Sequence, residues 1–146
     1  MTTLNFEVVI LNLLRKIEYL LVFLLGGSVY MLLEISWRSY THWSMGICGG
    51  ICFLGIYIFQ EKKPNCHFLL KCLFGSLFIT SNEFITGFIV NILLGWNVWD
   101  YSRLPLNLLG QICLIYSLLW FLLSYPAFKI ASLIKSNIFS YGKLIE

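Results

Sequence analysis

The stretch FLLKCLFGSLFITSNEFITGFIVNILL (68–94) decides the fold, because it is long enough to cross a bilayer and carries one acidic residue near its middle. A membrane span requires about 20 consecutive apolar residues. The acid is Glu83, and a carboxylate at mid-membrane is costly unless it faces a bundle interior, water or a partner. Polar and small residues three or four apart share one helix face with it: Ser76, Thr80, Glu83, Gly87 and Asn91. We therefore predict a buried polar seam along this helix.

The composition of the whole chain is that of a membrane protein. Its 146 residues are 59% hydrophobic and only 12% charged, whereas soluble proteins carry about 25% charged residues. We predict one transmembrane domain over residues 1–146. Its net charge of +3 favours contact with anionic head groups, so membrane lipids are expected partners. We expect no nucleic acid and no cofactor. The two histidines, His42 and His67, are predicted on opposite membrane sides, so no metal site is expected.

Four apolar runs predict an all-α, four-transmembrane-helix bundle with short connections: 17–37, 43–59, 68–94 and 106–130. Pro126 falls near the predicted end of the last helix. Eight of the ten basic residues are predicted at one end: Arg15, Lys16, Lys62, Lys63, Lys71, Lys129, Lys135 and Lys143. We expect a multi-pass protein of the cell membrane. The positive-inside rule then places both of its termini in the cytoplasm. An aromatic belt is predicted at the opposite interface: Trp37, Tyr40, Trp43, Trp96, Trp99 and Tyr101.

The two halves of the chain resemble each other, which favours two parallel helical hairpins over the inverted repeat of many transporters. Each rising helix carries an acid, Glu34 or Glu83, and each falling helix is predicted to carry Gly-x-Ile-Cys, at 49–52 or 110–113. The alternative is a chance match between short apolar segments.

Charged residues at the outer end are predicted to form one cluster above Glu83: Glu34, Arg38, His42, Asp100 and Arg103. In this interpretation the loop 96–107 is an ordered lid, and Asp100 or Arg103 contacts the first hairpin near Glu34 or Arg38. Asn107 is a possible cap of the fourth helix. The alternative is that Glu34 and Arg38 form only an interfacial ion pair, four residues apart.

Three roles are open for Glu83. It is hydrogen-bonded through Asn82, Asn91 or Gln111, paired with an arginine from above, or titrates along a proton or cation path. Helix packing is predicted at Gly46 and Gly50, which are four apart, and at Gly87 and Gly110. Whether such small-residue seams meet within one chain or between chains is left open. The cysteines are predicted to be unpaired packing residues or free thiols.

Three segments carry a resemblance to a known family: HWSMGICGGICFL (42–54), NEFITGFIVN (82–91) and WDYSRLPLNLLGQICLIYSLLW (99–120). With them the chain resembles the CmpB-type family of type IV ABC-transporter permeases. The resemblance implies a small bacterial multi-span membrane protein. The positions that match the family pattern are Glu83, Gly87, Trp99, Asp100, Tyr101, Pro105, Asn107 and Gly110.

The leading hypothesis is a non-enzymatic subunit of a transport or envelope complex with an outward-facing polar pocket. The candidate pocket residues are Glu34, Arg38, Glu83, Asn91, Trp99, Asp100, Tyr101, Arg103, Asn107 and Gln111. The alternative is a small membrane enzyme or lipid-binding protein acting at the outer leaflet. In that case Glu83 or Asp100 supplies acid–base chemistry, and Arg38 and Arg103 hold an anionic group. A third hypothesis is a homo-oligomeric, holin-like pore. Four spans seldom enclose a conduit alone, so we expect a homo-oligomer or a larger membrane-protein complex.

Overall fold

The computed structural model describes residues 2–139, with side chains from residue 7 onward, and 77% of the chain is helical. Its four α-helices are α1 (Thr2–Arg38), α2 (Trp43–Lys62), α3 (Phe68–Gly87) and α4 (Leu114–Asn137). A π-helix, Phe88–Leu93, continues α3, and two short antiparallel strands, β1 (Asn107–Leu108) and β2 (Ile112–Cys113), precede α4. The prediction of an all-α protein is confirmed at this level.

In the described part of the chain, three helices are long and apolar enough to cross a membrane: Trp43–Lys62, Phe68–Leu93 and Leu114–Asn137. They correspond to the second, third and fourth predicted spans. The predicted first span, 17–37, lies within the 37-residue helix α1. That this segment also crosses the membrane stays a prediction.

The predicted start of the fourth span at residue 106 was wrong. Residues 107–113 form the small β-hairpin instead, and α4 begins only at Leu114. Leu106, Leu109 and Gly110 have positive φ angles of 53°, 51° and 69°, which a helix does not accommodate. Asn107 was also wrong as a helix cap, because Cys113 occupies that position without a side-chain hydrogen bond.

The end of the fourth helix was misplaced as well. Pro126 lies in the interior of α4, which continues to Asn137. A proline removes one helical hydrogen bond. The helix persists because its following turns, with Phe128, Ala131 and Ile134, are buried in the main apolar core.

Helix α2 is central, since it contacts each of the other three helices. Its glycines meet α1 within the same chain. A Cβ atom added at Gly27 of α1 would collide with the backbone carbonyl of Gly46, and one at Gly50 would lie 2.7 Å from the ring of Phe23. These contacts run in opposite chain directions, so α1 and α2 are antiparallel and closely packed.

Helices α3 and α4 also pack through small residues. A Cβ atom at Gly75 would collide with the Ser124 side chain. The Ser76 hydroxyl donates to the Ser117 carbonyl oxygen at 2.6 Å, and the Thr80 hydroxyl donates to the Ser117 hydroxyl at 3.2 Å. Part of the predicted polar stripe therefore serves as the seam between α3 and α4.

The two copies of the proposed sequence repeat do not lie at equivalent positions in the structure. Cys52 lies in the middle of α2, whereas Cys113 lies at the end of β2, ahead of α4. The matching Gly-x-Ile-Cys motifs therefore have different local structures, one helical and one in the hairpin. Their similarity gives no support to a duplicated hairpin.

An ionic cluster joins three helices at one end of the bundle, which we call the Glu61 end. Glu18 of α1 is 1% exposed and accepts hydrogen bonds from Lys135 Nζ at 2.8 Å and from the Tyr57 hydroxyl. Lys135 also contacts Glu61 at 3.0 Å, and Arg15 contacts Glu61 at 3.1 Å. With two acids and two bases the cluster is neutral.

Replacing Lys135 by Met is expected to lower the free energy of unfolding by about 3 kcal/mol, because Glu18 then stays buried without its cation. Denaturation of the purified protein in mild detergent measures this difference. Lys62→Met removes an exposed cation at the same end and should change stability by less than about 0.5 kcal/mol. If both variants lose equally little, the ionic cluster does not stabilise the bundle.

Candidate functional site

Glu83 lies in α3 with its side chain buried, 2% exposed, between two aromatic residues of other helices. The Tyr30 hydroxyl of α1 donates to Oε1 at 3.2 Å, and the Trp120 indole Nε1 of α4 donates to Oε2 at 2.7 Å. The Tyr30 and Trp120 rings also contact each other, with centroids 5.9 Å apart. A single carboxylate therefore connects α1, α3 and α4.

The predicted partners of Glu83 were wrong. Asn82 donates to the Phe78 carbonyl of its own helix, while Asn91 and Gln111 bond to each other. Neither Glu83 oxygen has an arginine or lysine as hydrogen-bond donor among the described residues. Two neutral donors hold this carboxylate in an apolar seam.

Asn91, in the π-helix, fastens the long loop (residues 94–113) to α3. Its amide nitrogen donates to the Trp99 carbonyl at 3.0 Å and to Gln111 Oε1 at 2.8 Å. Its carbonyl oxygen accepts the Val98 N–H at 2.6 Å. The Trp99 indole Nε1 donates in turn to the Gln111 carbonyl oxygen at 2.9 Å. Asn91, Trp99 and Gln111 are thus each hydrogen-bonded to the other two. A π-helical turn such as the one that carries Asn91 often occurs at a functional site.

Gly87 makes room for this network one turn above Glu83. A Cβ atom there would lie 2.5 Å from Gln111 Oε1 and 2.7 Å from the Trp99 ring. Any larger residue would therefore force the side chains of Gln111 and Trp99 to shift. Four candidate residues, Gly87, Asn91, Trp99 and Gln111, are therefore brought together directly above Glu83.

The long loop is also attached to α1. Arg38 Nη1 donates to the Val98 carbonyl oxygen at 2.9 Å, while Nη2 donates to Glu34 Oε1 at 2.7 Å. The Thr41 hydroxyl donates to the other Glu34 oxygen at 2.6 Å. Glu34 and Arg38 are thus more than an isolated pair, because together they position the guanidinium to hold the loop.

Asp100 and Arg103 do not make the contact predicted for them. Asp100 is exposed and accepts hydrogen bonds from the Ser102 hydroxyl and, at 2.8 Å, from the Ser102 backbone N–H. These bonds lower the pKa of Asp100, with a smaller contribution from the Arg103 charge. Arg103 is exposed. The loop reaches α1 through the Val98 carbonyl instead, so the predicted single charged cluster is not assembled.

Asn107, Gly110 and Tyr101 organise the loop internally. Asn107 donates to the Leu104 carbonyl at 2.8 Å and accepts the Gly110 N–H at 3.1 Å. The Tyr101 N–H donates to the Gly110 carbonyl at 2.7 Å. The Tyr101 ring stacks on Tyr116, and burial together with the Glu83 charge raises the pKa of its hydroxyl.

The residues of the predicted aromatic belt differ in exposure, and His42 lies against two of them. His42 accepts the Ser44 N–H at the start of α2, and its ring lies against Trp43 and Trp96. Trp37, Tyr40, Trp43 and Trp96 are exposed, as expected of interfacial residues. Trp99 is only 8% exposed, because its indole is enclosed by the Gln111 network.

The sequence reasoning missed Tyr30, Trp120 and Glu18. A signal for Trp120 was available, because it is a tryptophan far from both predicted interfaces and its indole N–H must find an acceptor. Glu18 was a second acid within an apolar run. Tyr30 offered no comparable signal. Among the described residues, no group of three or more His, Cys, Asp or Glu side chains could hold a metal ion.

Glu83→Leu is expected to destabilise the protein by about 2–4 kcal/mol, because the Tyr30 hydroxyl and Trp120 N–H both lose their acceptor. Glu83→Gln should stay within about 1 kcal/mol of wild type, since its amide oxygen can accept from Trp120 while its amide nitrogen donates to the Tyr30 oxygen. Denaturation in mild detergent compares the variants.

The control is Asn82→Leu, which removes a neighbouring polar side chain that bonds only within α3. It should cost less than Glu83→Leu. Equal stability of Glu83→Leu and wild type would contradict a structural role for the carboxylate.

Comparison with known proteins agrees with the resemblance in the loop and α3 motifs. The family described as "Putative ABC-transporter type IV", of CmpB type, matches residues 5–144, which is most of the chain. No solved structure matches the chain. The matched region contains the whole site, from Tyr30 and Glu34 to Trp120. The chain belongs to the CmpB-type ABC-transporter family.

Proposed function

We propose that this protein is a non-enzymatic, integral membrane subunit of a bacterial transport or envelope complex, with a polar site that faces out of the cell. Family membership and three apolar helices of spanning length support a transport-related membrane protein. The observation that carries the finer proposal is the buried Glu83 carboxylate beneath a long loop docked on both α3 and α1.

The proposed topology has four spans with both termini in the cytoplasm. Glu61 contacts both Arg15 and Lys135, so these parts of α1, α2 and α4 lie at the same end of the bundle. Lys62 and Lys63 adjoin Glu61 in the chain, and Lys71 and Lys129 lie near Gln60 at the same end. The positive-inside rule then makes the Glu61 end cytoplasmic. The long loop lies at the other end, which in this proposal is the outer one.

The long loop acts in this proposal as a lid, and the Arg38 contact to Val98 is its latch on α1. The latch is a charge-assisted hydrogen bond from a guanidinium that Glu34 orients. A partner or cargo that competes for Arg38 would loosen the lid from α1, while Asn91 keeps it on α3. Glu83 would then sense the change through its bond to Tyr30, which lies two turns below Arg38.

The other two hypotheses receive less support from this geometry. An outer-leaflet enzyme or lipid-binding site needs Arg38 and Arg103 to converge on one anion. Arg38 is already bonded to Glu34 and Val98, and Arg103 is on the exposed loop surface. A pore lined by Glu83 would need water beside it, but Tyr30 and Trp120 cover both of its oxygens.

The connection between α2 and α3 bears on how an ATPase would be coupled. Only residues 63–67 separate these helices. A coupling helix cannot form in so few residues. In this proposal the α2–α3 connection therefore does not form the coupling surface, and this chain contributes the outward-facing site.

Topology is tested with a membrane-impermeant thiol reagent on intact cells. Cys66 is the informative native thiol, because it is partly exposed whereas Cys48, Cys52, Cys72 and Cys113 are buried. It should react only after permeabilisation. Cysteines introduced at Ser39 and Ser102 should react in intact cells. Reaction of Cys66 from outside would overturn the orientation.

Complex formation is tested by purifying the full chain from its native membranes in mild detergent and measuring its mass. A stoichiometric second membrane protein is expected, and Arg38→Gln should reduce its recovery severalfold. Arg103→Gln removes an exposed cation from the same end and is the matched control. A purely homo-oligomeric wild-type protein that conducts ions would favour the pore, and a monomer without a partner would contradict the proposal.

A further inference from the structure

We infer that a cleft between α3 and α4 at the Glu61 end binds an anionic phospholipid from the adjoining membrane leaflet, with Lys71 and Lys129 holding the phosphate. The inference rests on the part of the proposed function in which α3 and α4 span a membrane. It does not depend on a partner complex or on the outward-facing site.

The cleft is a cavity of about 230 Å³ between the end of α2, the start of α3 and the second half of α4. Lys71 of α3 and Lys129 of α4 both line it, together with polar Gln60 and Ser132. Its position near residue 68, where α3 begins, places it at the level of lipid head groups if α3 crosses the membrane.

The two lysines carry positive charge that no acid among the described lining residues of the cleft neutralises. Lys71 Nζ donates to Gln60 Oε1 at 2.8 Å and to the Pro64 carbonyl at 2.7 Å, both of which are neutral. Lys129 Nζ lies over the Tyr125 ring at 5.6 Å from its centroid. Within the described part of the chain, no Asp or Glu lines the cleft. Lys135, at the same end, is by contrast paired with two carboxylates.

A second, more apolar cleft of about 570 Å³ continues from the first. The two share Phe68, Cys72, Tyr125 and Lys129 as lining residues. The second extends to Phe121 and Leu122, which precede Lys129 by seven or eight residues, or about 10–12 Å along α4. A cationic head-group cleft therefore opens into an apolar groove that runs toward the middle of the membrane.

This shape and charge favour an anionic phospholipid over other ligands. A free phosphate would use the lysines but leave the apolar groove empty. A zwitterionic lipid would bring its own cation towards Lys71 and Lys129. Anionic lipids are attracted to basic residues at the membrane surface, and their acyl chains fit beside Tyr125 and Leu122.

The test measures lipid binding to the full-length protein in mild detergent by native mass spectrometry. Phosphatidylglycerol and phosphatidylcholine with the same acyl chains are the probes. Phosphatidylglycerol is expected to bind more tightly, and Lys71→Gln/Lys129→Gln should weaken it about tenfold or more, because two cations next to the phosphate are lost. Lys62→Gln/Lys63→Gln removes the same charge outside the cleft and should leave binding within about twofold.

The apolar groove provides an independent variant. Leu122→Trp should fill the groove and weaken phosphatidylglycerol severalfold, whereas Leu123→Trp, on a different side of α4, should not. Equal affinity for the two lipids, equal losses in both lysine pairs, or full competition by inorganic phosphate would each overturn the inference. Phosphatidylglycerol selectivity in a protein that lacks any partner would sustain it while the proposed complex fails.

Discussion

The burial of the Glu83 carboxylate is the constraint on which the half of the bundle opposite the Glu61 end depends. A carboxylate enclosed in apolar surroundings is tolerated only if donors satisfy its oxygens. Here the donors come from two other helices, Tyr30 of α1 and Trp120 of α4. Gly49 of α2 lies against the Tyr30 side chain and has no room for a Cβ atom. All four helices are therefore positioned, directly or through one contact, by a single acid.

A second polar connection holds the opposite end. The cluster of Glu18, Glu61 and Lys135 connects α1, α2 and α4, as Glu83 connects α1, α3 and α4. In a bilayer, apolar side chains gain little free energy by moving from lipid into the protein interior. Close packing and hydrogen bonds therefore determine how helices associate. The glycine contacts between α1 and α2 allow close approach, and the two polar connections fix the register.

Contacts from two helices also hold the long loop, at the end of the bundle opposite the Glu61 end. Asn91 and Arg38 hold its backbone from two helices, and Gly87 leaves space for the Trp99–Gln111 contact. Non-glycine residues at positive φ, such as Leu106 and Leu109, persist only where surrounding contacts hold the backbone, which here are the hydrogen bonds of Asn107 and Tyr101 to Gly110. In the proposed function, a ligand competes for one of these two attachments while the other remains.

The sequence by itself determined the membrane character, the helical class, most helix positions and the buried place of Glu83, because apolar run length and an isolated acid are local properties. It also placed Gly87, Asn91, Trp99 and Gln111 among the site residues.

The tertiary structure decided which groups meet. Tyr30 and Trp120 reach Glu83, and Val98 reaches Arg38, from 53, 37 and 60 residues away in the chain. The loop at 107–113 was mistaken for helix because its apolar residues suit either structure, and only side-chain and backbone contacts from Asn107 and Tyr101 select the hairpin. Hydrophobic pattern records how much of a segment is buried, whereas hydrogen-bond partners depend on where distant segments are brought together.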